Sequence, residues 1–248
     1  MATFKDTLKK WFYTSGTRKI AAGRRICLLD ASGDPIGSDT IENIRKLVGV
    51  DSSKYVDMGL PSGTLWAKCN LGATSETGYG WYFSWGNPDA HPQGAGYNFD
   101  QTTYNATPAA SIDGNLTMAQ DAASMILGQS WRMPSKEQFG ELFDTTYIDY
   151  VDADGNVITA TDKRTRYNSV VGLLIRSKSN GNILFIPAAG WYDGTSLQSE
   201  GGAGFYWASS YYSASMAYHL LYGSGSIYPQ NYSRSRKFGF SIRPVINN

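Results

Sequence analysis

Residues 204–245 read GFYWASSYYSASMAYHLLYGSGSIYPQNYSRSRKFGFSIRPV, and the rest of the chain is best read outward from them. The stretch opens on an apolar run, Phe205-Tyr206-Trp207-Ala208, and closes on another, Phe238-Gly239-Phe240-Ser241-Ile242-Arg243-Pro244-Val245. Between them lie mostly Tyr, Ser, Gly and Asn, with isolated His and Arg residues. A segment that only filled a core would favour Leu, Ile and Val. Tyr instead supplies large amphipathic contact area at low entropic cost, and Ser, Gly and Asn supply adaptable hydrogen bonds, as in antibody binding loops. The two ends are therefore expected to be scaffold strands and the middle a recognition surface.

The chain has 248 residues, enough for one large domain or a typical domain with a small appendage, and enough to bury a core without staples. Its 22 basic and 21 acidic residues nearly cancel, so no net charge points to nucleic acid or an anionic membrane. No run approaches the roughly 18 apolar residues of a membrane helix, so membrane insertion is not expected. The N-terminus, MATFKDTLKKWFYTSG, has basic residues but no apolar core before a small-residue cleavage site, so export by a signal peptide is not expected. Cys27 and Cys69 fall in different expected modules, which leaves no disulfide framework. An aromatic content of 14% with 27 glycines points to short strands and turns rather than a helical bundle.

Residues 1–50 are expected to form a small N-terminal module and 51–248 the main domain. Phe4, Leu8, Trp11 and Phe12 recur at helical spacing with lysines opposite, which predicts a short amphipathic helix over 4–13. Two strands, 25–29 and 35–37, flank the turn Asp30-Ala31-Ser32-Gly33-Asp34. A Ser38 or Asp39 cap then starts a helix over 40–47, with Gly49 as its stop. With so little apolar content the module is either a packed extension or an attachment or oligomerisation device. In the second case it would make a homo-oligomer.

The main domain opens on two short apolar runs around Pro61-Ser62-Gly63, read as two strands and a tight turn. Residues 78–85 (GYGWYFSW) read as a further strand, and 86–115 as a long polar loop. A helix is expected over 118–127. A second is expected from Ser135, whose capping box with Gln138 precedes the apolar face Phe139, Leu142 and Phe143. Residues 147–151 and 157–161 alternate around an Asp-Gly turn and read as a hairpin. The continuous apolar runs VVGLLIR (170–176) and NILFIP (182–187) are the best buried central strands. A loop over 188–203 leads into the opening stretch.

Little marks this chain as an enzyme, and no cofactor is expected. An EF-hand loop counted from Asp152 would need Gly at its sixth position and Glu at its twelfth. Gly155 stands fourth and Lys163 twelfth, so Asp152, Asp154 and Asn156 read as a turn. His91 and His219 are far apart and neither sits in a zinc pattern, so no metal is expected. No Gly-x-Ser-x-Gly elbow accompanies them. Gly223-Ser224-Gly225-Ser226 lacks the Lys and the strand-to-helix context of a phosphate loop and reads as a turn. The sequons at Asn105, Asn115 and Asn231 read as chance matches in Asn- and Thr-rich loops.

Five motifs occur in order: VDMGLPSGTLWA from Val56, Trp131-Arg132-Met133-Pro134-Ser135, Pro187-Ala188-Ala189-Gly190, Tyr206-Trp207-Ala208-Ser209-Ser210, and Gly239-Phe240-Ser241-Ile242-Arg243-Pro244-Val245. Together they resemble the "Fibrobacter succinogenes major" domain family of gut bacteria and their phages, over residues 55–245. The resemblance implies an α+β, C-type lectin-like (formylglycine-generating-enzyme-like) fold with two helices, small antiparallel sheets and long loops, beside the small N-terminal module. It implies a domain core built on Trp66, Trp131, Trp207 and Phe240, with the domain's first and last strands paired. The calcium-and-sugar motifs of C-type lectins and the C-terminal cysteine pair of formylglycine formation are both missing, so neither activity is implied.

The last stretch is also similar to that of variable proteins of diversity-generating retroelements. Those proteins display hypervariable residues between a Trp-containing strand and a Gly-Phe-Ser-x-Arg-Pro-Val strand. Their variation arises by mutating adenines in AAY codons, which reaches Asn, Ser, Tyr, His, Gly and Arg but not Trp, Met, Gln or Lys. Tyr211, Tyr212, Ser213, Ser215, Tyr218, His219, Tyr222, Ser224, Ser226, Tyr228, Asn231, Tyr232, Ser233 and Arg234 are all reachable and form the expected ligand-binding set. Met216, Gln230 and Lys237 are not, and should stay constant. The resemblance thus implies binding to a protein or glycan receptor on a target cell, from a phage tail or a bacterial surface. The missing export signal favours the virion. The alternative is a structural or adhesive surface domain without diversification.

Overall fold

A strand that reads apolar at every position must be covered on both faces, and the largest sheet is built around such a strand. The computed structural model describes residues 25–29, 35–40, 51–89, 91–92 and 115–246. The chain divides into two units, Met1–Tyr55 and Val56–Asn248. In the first, β1 (Arg25–Leu29) pairs antiparallel with β2 (Pro35–Thr40), with Cys27 opposite Ser38. The expected hairpin is there, but β2 runs on to Thr40. Ser38 and Asp39 are strand residues in register with Cys27 and Ile26, and so do not cap a helix. The remainder of that expected helix, the helix over 4–13 and most of the loop over 86–115 lie outside the described residues.

The remaining strands follow in chain order: β3 (Tyr55–Asp57), β4 (Leu65–Ala67), β5 (Trp81–Tyr82), β6 (His91–Pro92), β7 (Ile148–Tyr150), β8 (Arg164–Tyr167), β9 (Val170–Ser177) and β10 (Ile183–Pro187). After them come β11 (Trp191–Asp193), β12 (Ser196–Gln198), β13 (Gly204–Tyr211), β14 (Met216–Gly223), β15 (Ser226–Ser235) and β16 (Val245–Ile246). Helices α1 (Ala122–Leu127) and α2 (Lys136–Leu142) lie between β6 and β7. Small antiparallel sheets with two helices, among the described residues, make this an α+β fold.

Both helices start where a side chain can take up orphan backbone N–H groups. Asp121 accepts from Ser124 N at 3.0 Å and from Met133 N at 2.8 Å, so α1 begins at Ala122 rather than at Met118. Its carboxyl is buried, and that burial pushes its pKa up against the pull of these hydrogen bonds. The Ser135–Gln138 capping box opens α2 as expected, and Phe139, Leu142 and Phe143 are buried.

β9 is the centre of the largest sheet. β10 lies along one edge, and β7 and β8 share the other, pairing with its C-terminal and N-terminal halves. Leu173 and Ile175 enter the main core, while Leu174 packs on the opposite face with Phe185 and Val151. β8 was not expected, because Arg164-Thr165-Arg166-Tyr167 has no apolar alternation. A two-residue turn with positive φ at Asn168 (46°) and Ser169 (69°) folds it back onto β9. The hairpin expected around Asp152–Asn156 is a turn closed by one bridge, Val151 to Val157. Gly155 sits at φ 86° there, and the Asp152 carboxylate accepts from the N–H groups of Asp154 and Asn156.

β16 pairs with β4, Val245 opposite Trp66, and β3 lies on the other side of β4. The last strand therefore meets the second strand of the domain rather than the first. Trp66, Trp131, Trp207 and Phe240 are all buried. The segment before β16 is tied to three separate parts of the chain by Phe83–Phe240, Tyr192–Gly239 and Tyr206–Ser241 bridges.

Candidate ligand-binding surface

The stretch expected to hold a variable surface between two strands is itself sheet: β13, β14 and β15 form a three-stranded antiparallel sheet with β15 at its edge. A strand turns alternate side chains to opposite faces, so the sheet sorts the tyrosines and serines by register. One face carries Tyr206, Leu220 and Tyr222 into the main core. On the other face Phe205, Trp207 and His219 pack with Phe240, and Trp191 closes against Phe205 and Phe240.

Two expected surface residues are core residues. Tyr222 has no exposed surface; its hydroxyl donates to Ile186 O at 2.6 Å, and its ring lies so close to Gly204 that a Cβ there would stand 2.1 Å from Cε1. Desolvation holds its pKa well above the usual phenol value. His219 also has no exposed surface, and both ring nitrogens lack a hydrogen-bond partner. Desolvation, assisted by the charge of Arg234, lowers its pKa to about 3, with the backbone at Ala217 and Tyr232 pulling the other way. The ring is a neutral member of an aromatic stack. Register against Trp207 puts position 219 inside, and no composition rule reports register.

The other expected residues are exposed or half-buried, but the sheet divides them. Tyr228 and Tyr232 lie along β15 with ring centroids 4.5 Å apart, beside exposed Asn231 and Arg234. Tyr232 meets His219 edge-on at 6.2 Å, which places Tyr232, the Tyr228 ring against it and Arg234 two residues on along the Trp207 face. Tyr218 projects the other way, with Tyr212 edge-on at 5.2 Å and Lys136 Nζ 4.4 Å above its ring. Ser233, half-buried, is opposite Tyr218. Ser224 and Ser226 are exposed at the β14–β15 turn, where Gly225 takes φ 85°.

Tyr211 ends β13, and Tyr212, Ser213 and Ser215 belong to the β13–β14 connection, which is held from below by Arg236. That residue has no exposed surface, and its guanidinium lies 4.5 Å from the Trp85 ring centre and 4.9 Å from that of Tyr211. It donates to the carbonyls of Ser213 and Met216, and its backbone N–H to Ser215 O. Trp85, Lys136 and Arg236 were not among the expected residues. Nothing local marks Trp85 or Lys136, since each reaches the sheet only through tertiary packing. Of the residues expected to stay constant, Gln230 packs so closely on α2 that a Cβ on Gly140 would stand 2.4 Å from its Oε1. Met216 is half-buried and Lys237 lies over the Phe238 ring.

Burial pushes the Cys69 thiol up, away from its reactive thiolate form. Among the described residues no cluster of three or more His, Cys, Asp or Glu could hold a metal. No helix among them is long and apolar enough to cross a membrane. Comparison of the chain with protein-family models, curated proteins and solved structures finds no match.

Proposed function

We propose that this chain is a ligand-binding protein with a C-type lectin-like scaffold, related to the "Fibrobacter succinogenes major" domains, whose β13–β15 sheet presents a variable surface to a protein or glycan receptor. A retroelement diversifies that surface, and the protein acts from a phage tail or a bacterial cell surface. The observation that carries this reading is the division of tyrosines within one sheet. Tyr206 and Tyr222 are fully buried, with their hydroxyls on the Pro187 and Ile186 carbonyls, whereas Tyr211, Tyr212, Tyr228 and Tyr232 are each 38–51% exposed. Exposed tyrosines beside fully buried ones are what a display surface on a fixed scaffold requires.

The resembling motifs support the scaffold half of the reading, because they meet in the interior. Ala67 N bonds to Pro244 O, Arg132 exchanges both backbone bonds with Val245, and Ser209 N bonds to Pro134 O. Arg243, fully buried, donates to the carbonyls of Ala67, Lys68 and Phe185. With His219 and Tyr222 assigned to the scaffold, the proposed surface comprises Tyr211, Tyr212, Ser213, Ser215, Tyr218, Ser224, Ser226, Tyr228, Asn231, Tyr232, Ser233 and Arg234.

Labelled protein is applied to bacterial cells, comparing the original chain with a Tyr212→Ala/Tyr228→Ala variant. Binding is expected to fall at least about tenfold with stability changed by less than about 1 kcal/mol. Tyr222→Ala is expected to cost about 3–5 kcal/mol of stability. Undiminished cell binding by the double variant rules the surface out. For the diversification half, the encoding locus should carry a reverse transcriptase and a near-copy of the gene's end that differs only at adenines.

A further inference from the structure

All 21 acidic residues of the chain precede Gly201, so the three-stranded sheet and the segment after it carry cations alone: Arg234, Arg236, Lys237 and Arg243. Arg236 and Arg243 are buried, which leaves Arg234 and Lys237 to face solvent. Neither takes part in any of the ion pairs among the described residues. Register sets Arg234, Ala217 and Tyr211 side by side across the three strands. Ala217 has only a methyl group between the two long side chains. On the same face the Tyr228 and Tyr232 rings, tilted 34° to each other, stand along β15 before Arg234.

We propose that this face of the sheet binds an acidic oligosaccharide, with the Arg234 guanidinium on a sugar carboxylate and the Tyr228 and Tyr232 rings beneath the sugar rings. The inference rests on the ligand-binding reading above and narrows it. A planar guanidinium matches a carboxylate with two parallel hydrogen bonds, and among the described residues no carboxylate forms an ion pair with it. The sheet also separates the exposed aromatics, with Tyr212 and Tyr218 on the far side from Tyr228 and Tyr232. A protein partner of ordinary size needs a contiguous patch of about 800 Å². A narrow aromatic strip with polar flanks instead fits a chain one sugar wide.

The test uses the full chain on an array of uronic-acid oligosaccharides, their neutral methyl esters and Glu-rich peptides, followed by calorimetry on the retained species. Free uronates are expected to bind at least about tenfold more tightly than their esters, and the affinity to fall as salt rises from about 0.05 to about 0.5 M. Arg234→Gln should weaken uronate binding about tenfold with an unchanged melting temperature, because the side chain is exposed. Equal binding of acid and ester, an unaffected Arg234→Gln variant, or no retention of any uronate overturns the inference. So does retention of the Glu-rich peptides alone, which would identify an acidic protein partner. The broader reading fails separately, in the cell-binding comparison of the Tyr212→Ala/Tyr228→Ala variant.

Discussion

His219 is the residue whose chemistry is most altered by its position. Its ring is fully buried among Phe205, Trp207, Phe240 and Tyr232, with neither nitrogen hydrogen-bonded, and its pKa falls to about 3. A histidine in the unfolded chain binds its proton near pH 6.5. The unfolded state therefore takes up the proton first as pH falls, and the native state loses stability between about pH 6.5 and pH 3. Above that window the contribution of the neutral ring is fully present. Between pH 7 and pH 5 the loss should be about 2 kcal/mol. Urea denaturation at both values should show this difference in the original chain and a much smaller one in His219→Leu, where the buried position no longer titrates. Equal pH dependence in the two proteins would mean that the ring is solvated.

At the scale of elements, β9 and β10 show why a run of apolar residues needs a gap as well as bulk. Gly172 faces Pro187 in the ladder, and a Cβ there would stand 2.4 Å from Ile186 O and 2.6 Å from Phe185 Cζ. The first is backbone and the second a buried ring, so neither yields cheaply. Gly172→Ala is expected to destabilise the protein by about 1–3 kcal/mol, although alanine ordinarily suits a strand better than glycine. A denaturation midpoint equal to that of the original chain would show that the two strands can part there. α2 is the contrasting case. Its capping box and apolar spacing are local, and it was legible from Ser135 to Leu142 without any knowledge of its neighbours. β8 was not legible, since its reason for being a strand lies in β9.

At the scale of the molecule, the second unit is closed by its last strand. Val245 pairs with Trp66 on one side and exchanges backbone hydrogen bonds with Arg132 on the other, joining both ends of the unit to the segment between the helices. Removing residues 245–248 exposes the edge of β4 and leaves the Arg132 N–H and carbonyl unpaired. Loss of two buried side chains and their ladder bonds should cost at least about 4 kcal/mol. The truncated chain is expected to melt at least about 10 °C lower than the full one, as a unit rather than by fraying. Near-equal melting temperatures would show that the closure is ornamental to stability.

What was readable in the sequence is what depends on neighbours along the chain. The Ser135–Gln138 helix cap, the apolar runs of β9 and β10, the positive-φ turn at Gly155 and the paratope-like composition of 204–245 are all local or compositional facts. The burial of Trp66, Trp131, Trp207 and Phe240 was expected from the motifs in which they stand. Tertiary structure alone decided which tyrosines face water. Tyr222 and Tyr228 have the same side chain in the same kind of strand. Register against β13 and the core beneath it put one hydroxyl on the Ile186 carbonyl and left the other ring 38% exposed. Side-chain direction in a sheet is set by pairing with residues distant in sequence, so composition can mark a stretch for display but cannot say which of its members are displayed.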